Sequence, residues 1–458
     1  MSFLRWSTEK LLDFLKDVKR IGFLGFGKSN RAVFDLLSGH FDFEAIVREE
    51  RASRGGLPCG VEILLGERCF EPAGEDIIFV SPSVRRERAE VARLLGRVGR
   101  VSSDAELFFA LNGTPTLAVS GSDGKSTTVK MAEAILNLGG VSALACGNIG
   151  LPFVSALESG AECFVTELSS FSLEYMKPPS VRAVITNITE NHLDWHGSFE
   201  SYIAAKEALL ENAEEAILSP DSEACIPLIR QHKPPILFSV RKSYAELRGE
   251  FGFCERYYTL EDGYLTKNGE RLIAVSALSK KEPHNIKNAL AAIALTDGMF
   301  DTGGGIEALS DFSGLAHRIE GFTAVGGVRY VDSSIDSTPE RTAATLRVMP
   351  RRVIVLLGGR GKGLSYAPLA EALGEKSGEI IIYGENREEI YATLADAGLS
   401  DRIILAEALA DATELAMAVA AEGDTVLLSP ASTSYDAFSD FEERGNKFKE
   451  FVKRKDKK

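Results

Sequence analysis

Short runs of consecutive apolar residues recur along the chain. Each closes on Gly, Ser or a polar pair and gives way to a stretch with apolar residues at helical spacing. The runs at 20–24, 76–80, 116–119, 163–166, 182–186, 352–357, 379–383 and 424–428 read as strands. They are apolar at successive rather than alternate positions, which predicts strands covered on both faces. Strands of that kind, alternating with amphipathic helices, predict an α/β protein with largely parallel sheets. The stretch 264–275 differs. There Asn268-Gly269 separates two strand-like halves and predicts a hairpin, hence a small antiparallel portion mid-chain.

Length turns these units into domains. The chain has 458 residues, and a single core rarely grows past roughly 250–300 residues. Two turn-rich segments, 111–115 and 301–305, divide it into three α/β domains at 1–112, 113–313 and 314–458. There is no internal repeat and no low-complexity segment. Apolar residues make up 45% and charged residues 26%, the composition of a globular protein. The formal net charge of −14 argues against nucleic acid or an anionic membrane as partner, while leaving room for phosphate held by local groups. The six cysteines, at 59, 69, 146, 163, 225 and 254, form no CxxC pair and read as small buried hydrophobes. The first twenty residues lack the apolar core of a signal peptide, and the longest apolar runs fall far short of the roughly 18 residues that span a bilayer. A cytoplasmic location without membrane insertion is expected. The basic tail 447–458 reads as a solvated helix end.

Candidate chemistry gathers where strands end. Gly121-Ser122-Asp123-Gly124-Lys125-Ser126-Thr127 follows a strand and opens a helix, the context in which a Gly-rich turn aims backbone N–H groups at phosphate. Lys125 would neutralise terminal phosphates, and Ser126 or Thr127 would offer a hydroxyl to Mg²⁺. Position 119 is Val where the full pattern has Gly, so the loop is a GxxGKS variant; an ordinary strand–helix turn is the plain alternative. Glu167 closes one strand and His192 follows another, an oxygen and an imidazole beside a phosphate loop. A divalent-metal site is one reading; a helix-capping Glu167 and a satisfied loop His192 are the other. Lys206 lies on a helix beyond His192, and its spacing alone marks it only as a solvated charge. Gly25-Phe26-Gly27 fails the dinucleotide fingerprint. Asn30 takes the third glycine position and no acid closes the second strand at Val47-Arg48, so NAD is not expected, although a nucleotide-like group could sit near Ser29 and Asn30.

Taken together, these strings resemble the Mur ligase family of ATP-dependent amide ligases. The resemblance runs through Gly121–Thr127, Glu167–Phe171, Asn187–Asp194, Ala205-Lys206, His284-Asn285 with Asn288, His317-Arg318, Asp332-Ser333, Leu357-Gly358-Gly359 with Lys362, the string 428–438 and Arg444-Gly445. It implies a Rossmann-like first domain for a UDP-linked substrate, a P-loop central domain for ATP and a Rossmann-like last domain for an amino acid. The strings at 167–171 and 428–445 are most like the member that adds D-glutamate to UDP-N-acetylmuramoyl-L-alanine in peptidoglycan precursor synthesis, through an acyl phosphate. Another family ligase with a different amino acid or a folate-like acceptor is the alternative. A nucleotide-binding switch without ligase chemistry would not need the set Glu167, His192 and Lys206.

The resemblance also implies roles. The loop 121–127 with Asn285, Asn288, Arg318 and Asp332 would bind ATP, the asparagines at adenine, Arg318 at phosphate and Asp332 at ribose. Ser126, Thr127, Glu167, His192 and a CO₂-derived carbamate on Lys206 would serve two Mg²⁺ ions. Ser29, Asn30, Ser81, Asn148 and His192 would face the UDP-substrate, and Lys362, Ser434 and Phe441 the D-glutamate. A monomer acting on small molecules is expected. Departures from the family strings stand at Asp123 (usually Asn), Asn191 and Trp195 (commonly Asp and Arg), and 332–336. The last reads Asp-Ser-Ser-Ile-Asp in place of Asp-Ser-Lys-Ala-Thr, so a lysine is missing at 334 and a carboxylate stands at 336, in a stretch bordering the amino-acid site.

Overall fold

A computed structural model of the chain describes residues 6–50, 57–232, 235–299 and 304–456. Among these residues there are three sheets, and the chain divides into two compact units at Phe312/Ser313. The turn expected at 301–305 lies mostly outside the described residues, only Gly304 and Gly305 being among them.

The first unit carries two sheets. One has five parallel strands in the order Glu62–Leu65, Glu44–Glu49, Arg20–Leu24, Ile77–Val80 and Arg100–Ser102. The other has nine strands, in the order Glu270–Ala274, Tyr264–Lys267, Tyr257–Glu261, Ile236–Ser239, Glu215–Leu218, Arg182–Ile185, Thr116–Ser120, Cys163–Glu167 and Ala143–Gly147. It is parallel except at Tyr264–Lys267, which runs antiparallel to both its neighbours and forms the expected hairpin with Glu270–Ala274. Asn268 and Gly269 both take positive φ, 51° and 84°, as a two-residue hairpin turn that follows strand twist requires. Asp262-Gly263 makes a second such turn, at φ 48° and 77°.

The run Ala289–Leu295 shows why continuous apolarity is ambiguous. It lies in the helix Pro283–Thr296, every residue of which from Asn288 to Thr296 is buried. This helix packs against the sheet on one side and against the helix Lys125–Leu138 on the other, so no face is left for water. A single apolar cluster runs from Leu11 through the first sheet to Tyr257 in the second, and this common core is what makes residues up to 312 one unit.

The second unit holds a six-stranded sheet in the order Glu320–Val325, Val328–Asp332, Thr425–Leu428, Ile354–Gly358, Ile380–Tyr383 and Ile403–Leu405, antiparallel only at its first pair. Apolar clusters on the two faces of this sheet are confined to residues of the unit. Five cysteines are buried and Cys59 is exposed. No helix among the described residues is long and apolar enough to cross a membrane.

Candidate functional site

The strand Thr116–Ser120 lies between Cys163–Glu167 and Arg182–Ile185, so the loop that leaves it emerges between the ends of two neighbours. Gly121 (φ 140°) and Gly124 (φ 79°) allow the turn into the helix Lys125–Leu138. Each is also a close approach. A Cβ on Gly121 would collide with Thr186 Oγ1, and one on Gly124 with the Asn288 amide. The loop is pinned from below: Asn187 Oδ1 accepts the N–H of Ser122 at 3.2 Å and of Asp123 at 2.9 Å. Ser122 Oγ donates to Thr189 O at 3.0 Å and lies 3.0 Å from the Tyr202 hydroxyl. The first N–H groups of the helix, at 125–127, have no intrahelical acceptor, an arrangement able to receive an anion. Lys125 Nζ folds over the loop, donating to the carbonyls of Gly121 and Ser122, both at 2.9 Å.

Glu167 ends its strand one step from this loop and is buried. Ser126 Oγ donates to its Oε2 at 2.6 Å, and Asn148 Nδ2 to its Oε1 at 2.8 Å. A serine hydroxyl at a helix N-terminus touching a strand-end carboxylate is a hard-oxygen donor pair, the kind of set that suits Mg²⁺. Lys206 comes from the helix Phe199–Glu207, started by Ser198, whose side chain accepts the N–H of Ser201. Tyr202 and Lys206 are one turn apart, and both are buried beneath the loop. Lys206 Nζ donates to Gly121 O at 2.7 Å and sits 4.5 Å from the centre of the Tyr202 ring. Burial, and then the neighbouring Lys125, push its ammonium down to about 7. His192 is exposed, at φ 52°, with its ring 4.9 Å from Phe171 and 6.4 Å from Tyr202.

The first sheet contributes loops beside this region. Ser29 lies in the first turn of the helix Lys28–His40, and Lys28 Nζ reaches Gly150 O at 3.5 Å, next to the Asn148 loop. Ser81 is buried, 2.9 Å from Ser83 Oγ, against Gly25. The segment that follows Ser81 is fastened to the Glu167 and His192 strings: Arg85 donates to Asp194 O and Arg86 to Glu174 O, both at 3.0 Å, and the Tyr175 hydroxyl to Val84 O at 2.9 Å. Asn30 is fully buried, and its amide donates to the carbonyls of Leu24, Gly25 and Phe79. It holds the Gly25 loop from beneath, a duty spacing could not show. The strand expected to end at Val47-Arg48 continues to Glu49, whose carboxylate accepts the Phe26 N–H. An acid therefore does close that strand, one residue later than the apolar run suggested. Arg48 points inward and is paired with Glu75.

Asn288 backs Gly124 from within the helix Pro283–Thr296, and Asn285 lies in its first turn, donating to Glu282 at 2.8 Å. Asn187 and Tyr202 were missed as functional residues, although both sit inside the strings that matter. An amide after a strand or a tyrosine on a helix has no spacing signature.

In the second unit, loops leaving the strands Ile354–Gly358 and Thr425–Leu428 run side by side, joined by paired backbone bonds between Arg360 and Thr433. Lys362 and Ser434 lie just beyond this pair, Lys362 exposed and Ser434 buried. Phe441 opens the helix Phe441–Asp456, with its ring 6.1 Å from His317. Arg318 is exposed. Asp332 is fully buried: its Oδ2 lies 2.7 Å from His317 Nδ1 and 3.5 Å from Lys449 Nζ, and its Oδ1 accepts the Ser334 N–H. His317, Glu320 and Asp332 are spaced as a metal cluster would be, but the Lys449 ammonium, 2.5 Å from Glu320, already supplies the positive charge.

Residues 119–296 match the model of the Mur ligase middle domain, and residues 317–432 that of the Mur ligase glutamate ligase domain. A protein of Ruminiclostridium cellulolyticum named UDP-N-acetylmuramoylalanine–D-glutamate ligase is 34% identical over 97% of this chain and 99% of its own. One of the same name from Clostridium botulinum is 30% identical over 98% of this chain and 100% of its own. Among solved structures, a UDP-N-acetylmuramate–alanine ligase from Thermotoga maritima shares the fold with a TM-score of 0.58, at 23% identity over 96% of this chain and 100% of the other. With a phosphate loop, a strand-end acid and a buried lysine gathered in one unit, and near-full-length relatives at this level of identity, the chain belongs to the Mur ligase family.

Proposed function

We propose that the chain is an ATP-dependent, ADP-forming ligase that joins D-glutamate to UDP-N-acetylmuramoyl-L-alanine in peptidoglycan precursor synthesis. The observation that carries this reading is the near-full-length match to relatives bearing that name, together with the phosphate loop and its buried acid. The chemistry follows from the leaving group. Oxide leaves a carboxylate too poorly for an amine to displace it. Transfer of the ATP γ-phosphoryl group to the substrate carboxylate yields ADP and an acyl phosphate. The amine of D-glutamate then attacks the acyl carbon, phosphate departs, and the amine proton is lost to solvent.

In this reading the N–H groups at 125–127 and Lys125 hold the ATP phosphates and steady the charge on the transferring group. Bound Mg²⁺ would supply further Lewis-acid stabilisation, with Ser126, Thr127 and Glu167 as oxygen ligands and His192 serving a second ion. Lys206 would carry a carbamate. An amine pushed down to about 7 is partly neutral at physiological pH, as attack on CO₂ requires, and the product would place an anion where this structure has a cation. Asn285 and Asn288 would flank adenine, and Arg318 would meet phosphate. Asp332, held against His317, would lie at the ribose. Ser29, Ser81 and Asn148 would face the UDP-substrate, with Asn30 as support for the loop at Gly25. Lys362, Ser434 and Phe441 would hold the amino acid.

The division of labour would then be 1–112 for the uridine substrate, 113–313 for ATP and 314–458 for the amino acid, in a cytoplasmic monomer. The test is phosphate release by the purified protein with ATP, Mg²⁺ and UDP-N-acetylmuramoyl-L-alanine across a panel of amino acids. Release is expected with D-glutamate. No release with D-glutamate, or preferential turnover of another amino acid, removes the D-glutamate reading.

A further inference from the structure

The second unit departs from the family string where an amino acid would be held, and the structure shows what the replacements do. Ser334, in place of lysine, is buried, and Arg444 donates to its Oγ at 3.0 Å and to its carbonyl at 2.9 Å. Arg444 is itself fully buried and gives its remaining contact to Ser432 O. The cation nearest the missing lysine is therefore spent on the interior. Asp336 also turns inward, where its Oδ2 accepts Thr345 Oγ1 at 2.8 Å and Ser429 Oγ at 2.7 Å. The next residue faces the other way. Ser337 Oγ accepts from Lys362 Nζ at 3.4 Å. Ser337, rather than position 336, thus presents the hydroxyl beside Lys362.

One turn further, in the helix Pro339–Val348, stands Arg341. It is exposed, and its Nη1 reaches only the Ile335 carbonyl, at 3.5 Å. Its charge is close enough to act on Lys362, whose ammonium is lowered first by desolvation and then by Arg341. An acid that feels Arg341 is Asp336, already engaged by the hydroxyls of Ser333, Ser429 and Thr345. Among the described residues, neither Arg341 nor Lys362 has a carboxylate within ion-pair distance. Arg341 rests on the Ile335 carbonyl, which also accepts the Ser337 N–H at 2.8 Å, and Lys362 rests on the Ser337 hydroxyl; the two cations thus flank one short segment, with its one acid turned inward, and repel until an anion arrives. Any amino acid brings one carboxylate. Only an acidic amino acid brings two, and a neutral one would leave a cation unpaired.

We propose that Arg341, with Lys362 and the Ser337 hydroxyl, binds the distal carboxylate of an acidic amino acid and so sets the amino-acid specificity of the ligase. This rests on the reading of the second unit as the amino-acid site. Arg341→Gln is expected to raise the KM for D-glutamate about 10- to 100-fold, with the KM values for ATP and the UDP-substrate within about twofold of the wild type. The preference for D-glutamate over D-glutamine in kcat/KM should fall by about tenfold or more, and Arg341→Lys should recover part of it. A thermal midpoint unchanged from the wild type, expected for an exposed side chain, shows that the variant folds. A D-glutamate KM within about twofold of the wild type, or an equal rise for D-glutamine, overturns the role of Arg341. The wild type judges the underlying reading separately. If it prefers another acidic amino acid, the D-glutamate reading falls while an Arg341→Gln effect on that substrate's KM still sustains the proposal. If it prefers a neutral amino acid, or turns over none, the proposal falls too.

Discussion

Lys206 shows how far a single residue can depart from what its type suggests. A lysine on a helix is normally a solvated charge. Here Ser198 sets the start of the helix so that Tyr202 and Lys206 point together under the phosphate loop, and the amine bonds to Gly121 O. If the carbamate reading holds, Lys206→Ala should lower turnover by about 100-fold, and a short carboxylic acid such as formate should restore part of it by replacing the anion. A fully active variant, or one no acid rescues, removes the carbamate. Gly124→Ala tests the loop itself. The substitution forces an L side chain into φ 79° and into the Asn288 amide, so ATP binding should weaken by about tenfold or more while the fold persists. Equilibrium binding of ATP measures this directly. The phosphate loop was legible because its chemistry needs glycines and a lysine in fixed order. Asn187, Tyr202 and Arg341 were not, because their roles come from contacts made across the fold by residues with no local signature.

At the scale of elements, most strands were legible because a parallel sheet covered on both faces demands unbroken apolar runs. Their ends were less so. The strand Glu44–Glu49 outlasts its apolar centre, since Arg48 is neutralised internally by Glu75 and Glu49 is used by the Phe26 N–H. A polar pair therefore looked like an ending. The short helix Phe153–Ala156 has a comparable hidden partner. Its first N–H groups, of Phe153 and Val154, are accepted by the carboxylate of Asp104, in the helix Asp104–Leu111 some fifty residues earlier. This contact ties the five-stranded portion to the nine-stranded one. Burial raises the Asp104 carboxyl to about 7, against the pull of its two backbone bonds. A carboxyl raised in the folded state stabilises most below its unfolded pKa, near 4. That contribution is lost as pH rises through about 7. Relative to Asp104→Asn, the wild type should therefore be more stable at pH 5.5 than at pH 8, as paired thermal midpoints would show. Asp104→Ala strands both N–H groups and should cost about 2–4 kcal/mol in denaturant unfolding at pH 7. A difference between wild type and Asp104→Asn that does not change with pH would mean the carboxyl titrates in its ordinary range.

At the scale of the whole molecule, composition and turn segments pointed to three domains, and there are indeed three sheets. The compact units are nevertheless two, because one apolar cluster is shared between the first two sheets. Sequence marks a turn such as Asn112–Thr114 but carries no sign of whether apolar side chains on either side of it will share a core. The second unit is different: its sheet is covered by clusters drawn wholly from residues 322–452, and the span 313–458 is of ordinary domain size. A core that closes on itself predicts independent folding. Expressed alone, 313–458 should unfold in one cooperative transition, followed by circular dichroism and by tyrosine fluorescence with coincident midpoints. In the full chain, ATP with Mg²⁺ should raise the transition of the first unit by about 2–4 °C at concentrations far above Kd, since the phosphate loop, Glu167 and Lys206 all belong to it. The isolated second unit should not respond to the nucleotide. A fragment without a cooperative transition would show that its clusters need the rest of the chain. A fragment stabilised by ATP would place nucleotide-binding energy in the second unit, beyond the share expected from Arg318.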